Sequence, residues 1–273
     1  MNPMKASKPD PRSTEDAAAN TPGDTPTMRL LGLLEFIAER DRLFTLQDLV
    51  EETTLPKPTL HRMLQQLESS GMLQRDTNGR HYGTGSRLRR LAENVLLNDS
   101  HHGARHAVLR TLLEEVGENC NITALSGDEV LYLDRVETAA PLRFYLQPGS
   151  RVPAHCSASG KLFLAQLSAA QRMRLLGHTP LTRYTKNTLV EIDQLEIEIE
   201  RVRANGYAFD NEEFLPGLFC IAVLVPRTEG KSNMGVAIQA PIMRMTPDKA
   251  LLCLPALQRA AQTLANIEAS ESN

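Results

Sequence analysis

From Lys57 to Arg62 the chain reads Lys-Pro-Thr-Leu-His-Arg, a cluster of cationic and polar side chains on what the flanking pattern makes the first turns of a helix. Arginine carries a planar fork that can pair with both acceptors of a guanine edge, while lysine and threonine suit phosphate oxygens. Backbone N–H groups at a helix start add a further attraction for anions. Lys57, Pro58, Thr59, His61 and Arg62 are therefore candidates for contact with duplex DNA, with Arg80 and His81 further on as contacts to its backbone or minor groove. The bland alternative is a solvated face on a structural helix. A second polar group, His155-Cys156-Ser157-Ala158-Ser159, runs straight into Gly160-Lys161. If it opens a helix, its N–H groups and the Ser157 and Ser159 hydroxyls favour a carboxylate. His155 would then supply a donor or a charge near neutral pH. The alternative there is that Ser157 or Ser159 merely caps the helix.

The elements around the first cluster are legible from spacing. Leu30, Leu33, Leu34 and Ile37 predict a helix from Thr27 to near Arg40. Thr45 is a good N-cap, with Asp48 three residues on, and Leu46, Leu49 and Val50 supply a buried side. Pro56 and Pro58 end that helix and start the next, which turns Leu60, Met63, Leu64 and Leu67 inward and closes at Gly71. Met72–Arg75 and Arg80–Tyr82 can pair as short strands around Asp76-Thr77-Asn78-Gly79. This is the layout of a winged helix-turn-helix, which seats one helix in the major groove. A linker helix follows from about Ser86 to Asn98. One such module reads few bases, so a dimer on a near-palindromic operator is expected, with the first and linker helices as dimer surfaces.

The second half predicts an α+β domain. A helix to about Val116 leads to strands at Asn121–Leu125 and Val130–Val136. Leu142, Phe144 and Leu146 alternate with polar residues as a strand would. After Pro148-Gly149-Ser150 comes another strand, carrying His155 and Cys156 on opposite faces. Helices follow from Ser157 to Leu167, Ser168 to Leu176 and Thr188 to Asn205, the last closed by Gly206. Cys220–Val225 and Met234–Ala240 form a final strand pair, and Thr246-Pro247-Asp248 caps a terminal helix that Pro255 should kink.

The 273 residues carry a formal charge of −3, which argues against a purely electrostatic nucleic-acid binder but leaves room for a local basic face. Cys120, Cys156, Cys220 and Cys253 form no C-x-x-C pair, and H-E-x-x-H is absent, so neither a metal site nor a cofactor is expected. Each cysteine is read first as a small buried hydrophobe. No apolar run is long enough to span a bilayer, no secretory segment is visible, and reduced thiols fit a cytoplasmic protein.

The stretch TLPKPTLHRMLQQLESSGMLQR, followed by HYGTGSRLRRLA, resembles the IclR family of bacterial transcriptional regulators. LRFYLQPGSRVPAHCSASGKLFLA and NGYAFDNEEFLPGLFCIAVLVP extend the resemblance over nearly everything from Met28 to the final helix. It implies an N-terminal winged helix-turn-helix, a linker helix and a C-terminal GAF-like α/β effector-binding domain. The expected divisions are residues 1–26 as a disordered tail, 27–85 as the DNA-binding domain, 86–100 as the linker and 101–268 as the effector domain. The implied partners are a double-stranded DNA operator and a small organic acid, aromatic or a short hydroxy or keto acid, in control of a catabolic operon.

Carried over singly, the family's pocket falls on Ser157, Ala158, Asp210, Cys220, Ala237 and Gln239. The last two depart from the small hydroxyl residues of glyoxylate- or pyruvate-responsive members, so that ligand is not transferred. Lys161 is expected at the surface. Asp210 is expected to take a ligand hydroxyl or hold a loop N–H, or else to form a turn with Asn211. Arg143 and Arg151 could pair with a carboxylate or be merely solvated. Two rival classes remain: a constitutive DNA-binding protein without a ligand, and a hydrolase using Cys156 or Ser157. The hydrolase reading lacks an S-x-x-K pattern, since Ala158 stands three before Lys161.

Overall fold

Thr45 accepts the Asp48 N–H while the Asp48 carboxylate accepts the Thr45 N–H, a reciprocal box that fixes where the second helix begins. This computed structural model describes residues 25–270 except 39, 41, 98–101, 143, 178–179 and 228–229. The expected disordered tail therefore lies almost wholly outside the described residues, and Arg143 lies outside them too. The chain forms two compact units, residues 1–88 and 89–273, with the cut inside the linker helix.

In the first unit, α1 (Pro26–Ala38), α2 (Leu46–Glu52) and α3 (Lys57–Ser69) precede a hairpin of β1 (Leu73–Arg75) and β2 (Tyr82–Thr84). Leu33, Ile37, Leu49, Leu60, Leu64, Leu67 and Leu73 close one core. Pro58 sits at the start of α3, where a missing N–H costs no helical bond. Phe44, which periodicity leaves unassigned, exchanges both backbone bonds with Tyr82 at 3.1 and 2.7 Å and stacks on its ring. The second strand starts at Tyr82 rather than Arg80, because Arg75 pairs with Tyr82 and residues 76–81 form the tip. Arg75 is not a free cation: its guanidinium donates to Glu68 at 2.8 Å and to the Tyr82 hydroxyl at 2.7 Å.

The helix α4 (Ser86–Leu97) crosses from one unit to the next and buries none of its residues. The second unit continues with α5 (His102–Val116), β3 (Asn119–Ser126), β4 (Glu129–Val136) and β5 (Arg151–Pro153). A 3-10 turn at Ala154–Cys156 leads to α6 (Ala158–Ala165), α7 (Ala169–Leu176) and α8 (Ile192–Asn205). Then come β6 (Ala208–Asn211), β7 (Leu218–Leu224), β8 (Met234–Pro241) and α9 (Pro247–Ser270). The six strands form one antiparallel sheet in the order β5-β4-β3-β8-β7-β6.

Alternation along the strands divides the interior in two. Cys120, Ile122, Leu131, Phe219, Ile221, Val236 and Ile238 face α5 and α9. Tyr132, Cys220, Ala222 and Ala237 face α6 and α8. That second face also carries Asn119, Asn121, Thr123, Asp210 and Gln239 by register, all buried.

One expectation changes, and one element is new. Residues 144–147 are not a strand: the carbonyls of Phe144 and Leu146 accept from the Arg135 guanidinium at 3.0 and 2.5 Å instead of from a neighbouring strand. The short β6, which has too few residues to show a period, was not anticipated. Pro255 lies inside the last helix, which runs on to Ser270; the carbonyl it deprives of a bond belongs to Leu251, an exposed residue, so water can satisfy it.

Candidate functional site

On α3 the inward residues Leu60, Met63, Leu64 and Leu67 fix the helix roll, and that roll leaves Lys57, Pro58, His61, Arg62, Gln65 and Gln66 exposed, with Thr59 half-buried. The side chains of Lys57, His61 and Arg62 have no hydrogen-bond or ion-pair partner within the chain among the described residues. The α3 N-cap, Pro56, offers no side-chain acceptor to the first-turn N–H groups. On the wing, His81 is committed to Asp76, its Nδ1 lying 2.9 Å from the carboxylate, which also accepts the Arg80 N–H. His81 thus holds the tip in shape, and the Arg80 side chain is left exposed.

The second group of candidates surrounds a small cavity of about 20 Å³ in the face between the sheet and α6. Ser157, Ala158, Ser159, Asp210, Cys220 and Ala237 line it. His155, Cys156 and Gln239 do not. Residues 154–156 form a 3-10 turn rather than a strand, which carries His155 outward to donate from Nε2 to the Thr182 carbonyl at 3.0 Å. Because a carbonyl only accepts, that nitrogen bears the proton. Burial lowers the imidazole pKa, against the Thr182 bond and Asp128, so His155 brings no charge at neutral pH. Burial likewise pushes the Cys156 and Cys220 thiols up, away from the thiolate a nucleophile needs.

Asn121, Thr123, Tyr132 and Phe214 also line the cavity and were missed. A signal existed: Asn119, Asn121 and Thr123 are polar at every second position of an otherwise apolar strand. The Asn121 amide oxygen is buried without a partner, as is Nε2 of Gln239 on the same face.

Ser157 is the N-cap of α6 by position but does not cap it. Its hydroxyl donates backward to the Pro153 carbonyl at 2.9 Å, so the first-turn N–H groups beside the cavity lack a side-chain acceptor. Gly160 allows this packing, since a Cβ there would fall 2.2 Å from the Ala154 carbonyl oxygen.

Lys161 is a correction. It is 1% exposed, not at the surface, and its Nζ lies 2.5 Å from Glu213 and 3.3 Å from Glu198. Burial alone would depress the ammonium; the two carboxylates outweigh it and hold the pKa raised. Glu213 belongs to the loop between β6 and β7. Its N–H and that of Phe214 donate to Asp210 Oδ1 at 2.8 and 3.3 Å, and Thr188 bonds its carbonyl at 2.7 Å. Arg151 is occupied by Glu93 at 2.6 Å and does not reach the cavity.

Burial, reinforced by Glu213, raises the Asp210 pKa to about 7. A carboxyl with a folded-state pKa above its unfolded value stabilises the fold when protonated. That contribution is complete below about 4 and is lost as pH rises through about 7. We expect Asp210→Asn to flatten the fall in stability between those values, read from chemical denaturation at several pH values. An unchanged slope would contradict the assignment.

Residues 26–77 match the IclR helix-turn-helix domain, and residues 101–266 match the bacterial transcriptional regulator IclR C-terminal domain. The chain belongs to the IclR family. A relative in Cupriavidus necator, the probable transcriptional regulator SauR, is 44% identical over 237 residues, covering 87% of this chain and 94% of the relative. The transcriptional repressor IclR of Escherichia coli is 32% identical over 251 residues, covering 90% and 92%. The crystal structure of Thermotoga maritima IclR superposes with a TM-score of 0.59 at 24% identity over 88% of this chain and 97% of that one, which bears on fold alone.

This IclR-family chain is accordingly a DNA-binding transcriptional regulator with an effector-binding C-terminal domain, and not an enzyme. Among its described residues no helix is long and apolar enough to cross a membrane.

Proposed function

We propose that the protein reads a near-palindromic operator as a homodimer or homotetramer and changes its grip when a small organic acid enters the cavity beside α6. The observation that carries this is a pairing of opposites at one cavity. The uncapped first turn of α6 offers N–H donors that want a carboxylate, and the Asn121 amide oxygen wants a hydroxyl. A hydroxy acid supplies both. The cavity of about 20 Å³ holds little more than a water, so entry of any acid requires its lining, Phe214 of the 212–217 loop included, to yield. That loop is held by Asp210 and Lys161, so ligand and loop are coupled. A ligand shifts DNA affinity only by its preference for one arrangement over another.

On the operator, Lys57 and Thr59 hold phosphates, Arg62 and His61 reach base edges, and Arg80 follows the backbone. The exposed Met28 and Leu31 on α1, and Leu91 and Val95 on α4, support a second copy at those helices.

The test is operator binding by fluorescence anisotropy at fixed salt against a panel of short hydroxy, keto and aromatic acids. An effective acid should shift affinity about 5- to 150-fold. Asn121→Leu should lower that acid's potency at least tenfold and leave DNA binding without the acid unchanged. Equal potency in the variant would overturn the assignment of this cavity.

A further inference from the structure

We infer that His102, His106 and Asp134 form a binding site for a zinc-class transition-metal ion. His102 and His106 are one helical turn apart near the start of α5, on one face. Asp134 comes from β4, against which α5 packs. The Asp134 carboxylate draws in both imidazoles: His106 Nδ1 lies 3.1 Å from each oxygen, and His102 Nδ1 lies 3.7 Å from Oδ2. Donor atoms of all three residues fall within 4.8 Å of one another.

The carboxylate–imidazole spacings of 3.1 and 3.7 Å bracket what a metal needs. With ligand bonds of about 2.0–2.1 Å, neighbouring donors on a tetrahedral ion stand about 3.4 Å apart. Two imidazoles and one carboxylate make a donor set suited to Zn²⁺, Co²⁺ or Ni²⁺, with water completing the coordination. The exposures fit an open site: Asp134 is 5% exposed, His106 40% and His102 56%. A further feature of a built site is present. The Arg135 N–H donates to Asp134 Oδ1 at 2.7 Å, which orients the carboxylate beside the histidines. The signal in the sequence is H-x-x-x-H at 102–106, which lacks the glutamate of a protease motif and whose third ligand stands 28 residues beyond His106.

Bound there, an ion would pin the first turn of α5 to β4, immediately after the segment that joins α5 to α4.

The experiment uses the full chain, freed of metal by chelation and titrated with Zn²⁺ by calorimetry, with Co²⁺ absorbance as a second reading. We expect one ion per chain, a visible d–d band and a higher melting temperature with Zn²⁺. His102→Gln and His106→Gln should each weaken binding at least about tenfold, because even removal of groups that only orient metal ligands costs 10- to 100-fold. The double variant should show no d–d band. His102 is exposed, so its variant should melt like the wild type without metal, separating lost binding from lost folding. Absence of Zn²⁺ uptake by the wild type, or undiminished uptake by the double variant, overturns the site.

Discussion

Replacing Arg62 by alanine should lower operator affinity roughly 5- to 150-fold, because one bidentate contact to guanine is worth about 1–3 kcal/mol. The loss should be confined to sequence-specific binding. Arg62 is exposed and has no hydrogen-bond or ion-pair partner among the described residues, so its removal should leave the melting temperature where it was. Lys57→Ala makes the instructive contrast. A phosphate contact carries no sequence information, so its loss should weaken all duplexes alike and reduce the salt dependence by about one counterion. Titrations of operator and scrambled duplex at several salt concentrations separate the two. If Arg62→Ala weakened both duplexes equally, the helix would be positioning the protein rather than reading bases.

Replacing Lys161 by methionine should destabilise the fold by about 3–5 kcal/mol. Removing one member of a buried ion pair strands the other: Glu213 loses its cation, whereas Glu198 keeps Arg201 at 3.0 Å. Glu213 and Glu198 approach the same ammonium, and a further oxygen of Glu213 is already buried without a partner. Methionine keeps most of the volume, so the deficit measures charge rather than a cavity. Adding Glu198→Gln and Glu213→Gln to Lys161→Met should recover much of the loss, since neutral amides cost far less to bury than unpaired carboxylates. Urea denaturation of the single and triple variants is the measurement. A single variant as stable as wild type would mean the ammonium reaches water.

The contrast between these two residues explains what could be read from the chain. Arg62 was legible because everything that orients it lies within a few residues: Pro58 starts the helix, Leu60, Met63, Leu64 and Leu67 set its roll, and Gly71 ends it. Lys161 was misplaced because its partners come 37 and 52 residues later, and nothing local announces them. The same distance hid the cavity. Ser157, Asp210, Cys220 and Ala237 came from the family resemblance, whereas Asn121 and Thr123 needed the pairing of β3 with β8 to place them on the face of α6. The alternation of Leu142, Phe144 and Leu146 misled because Arg135, a distant cation, captured carbonyls that a strand neighbour would otherwise have taken. His155 misled because its neighbours turn in a 3-10 bend, which no alternation reveals.

The unmated amide oxygen of Asn121 would make supply of the proposed ligand a matter of durability as well as signalling. A ligand that satisfied it would raise the proportion of folded copies in step with its concentration over Kd. Cells short of that ligand would then clear this regulator faster by proteolysis, so its abundance would itself report the ligand's level.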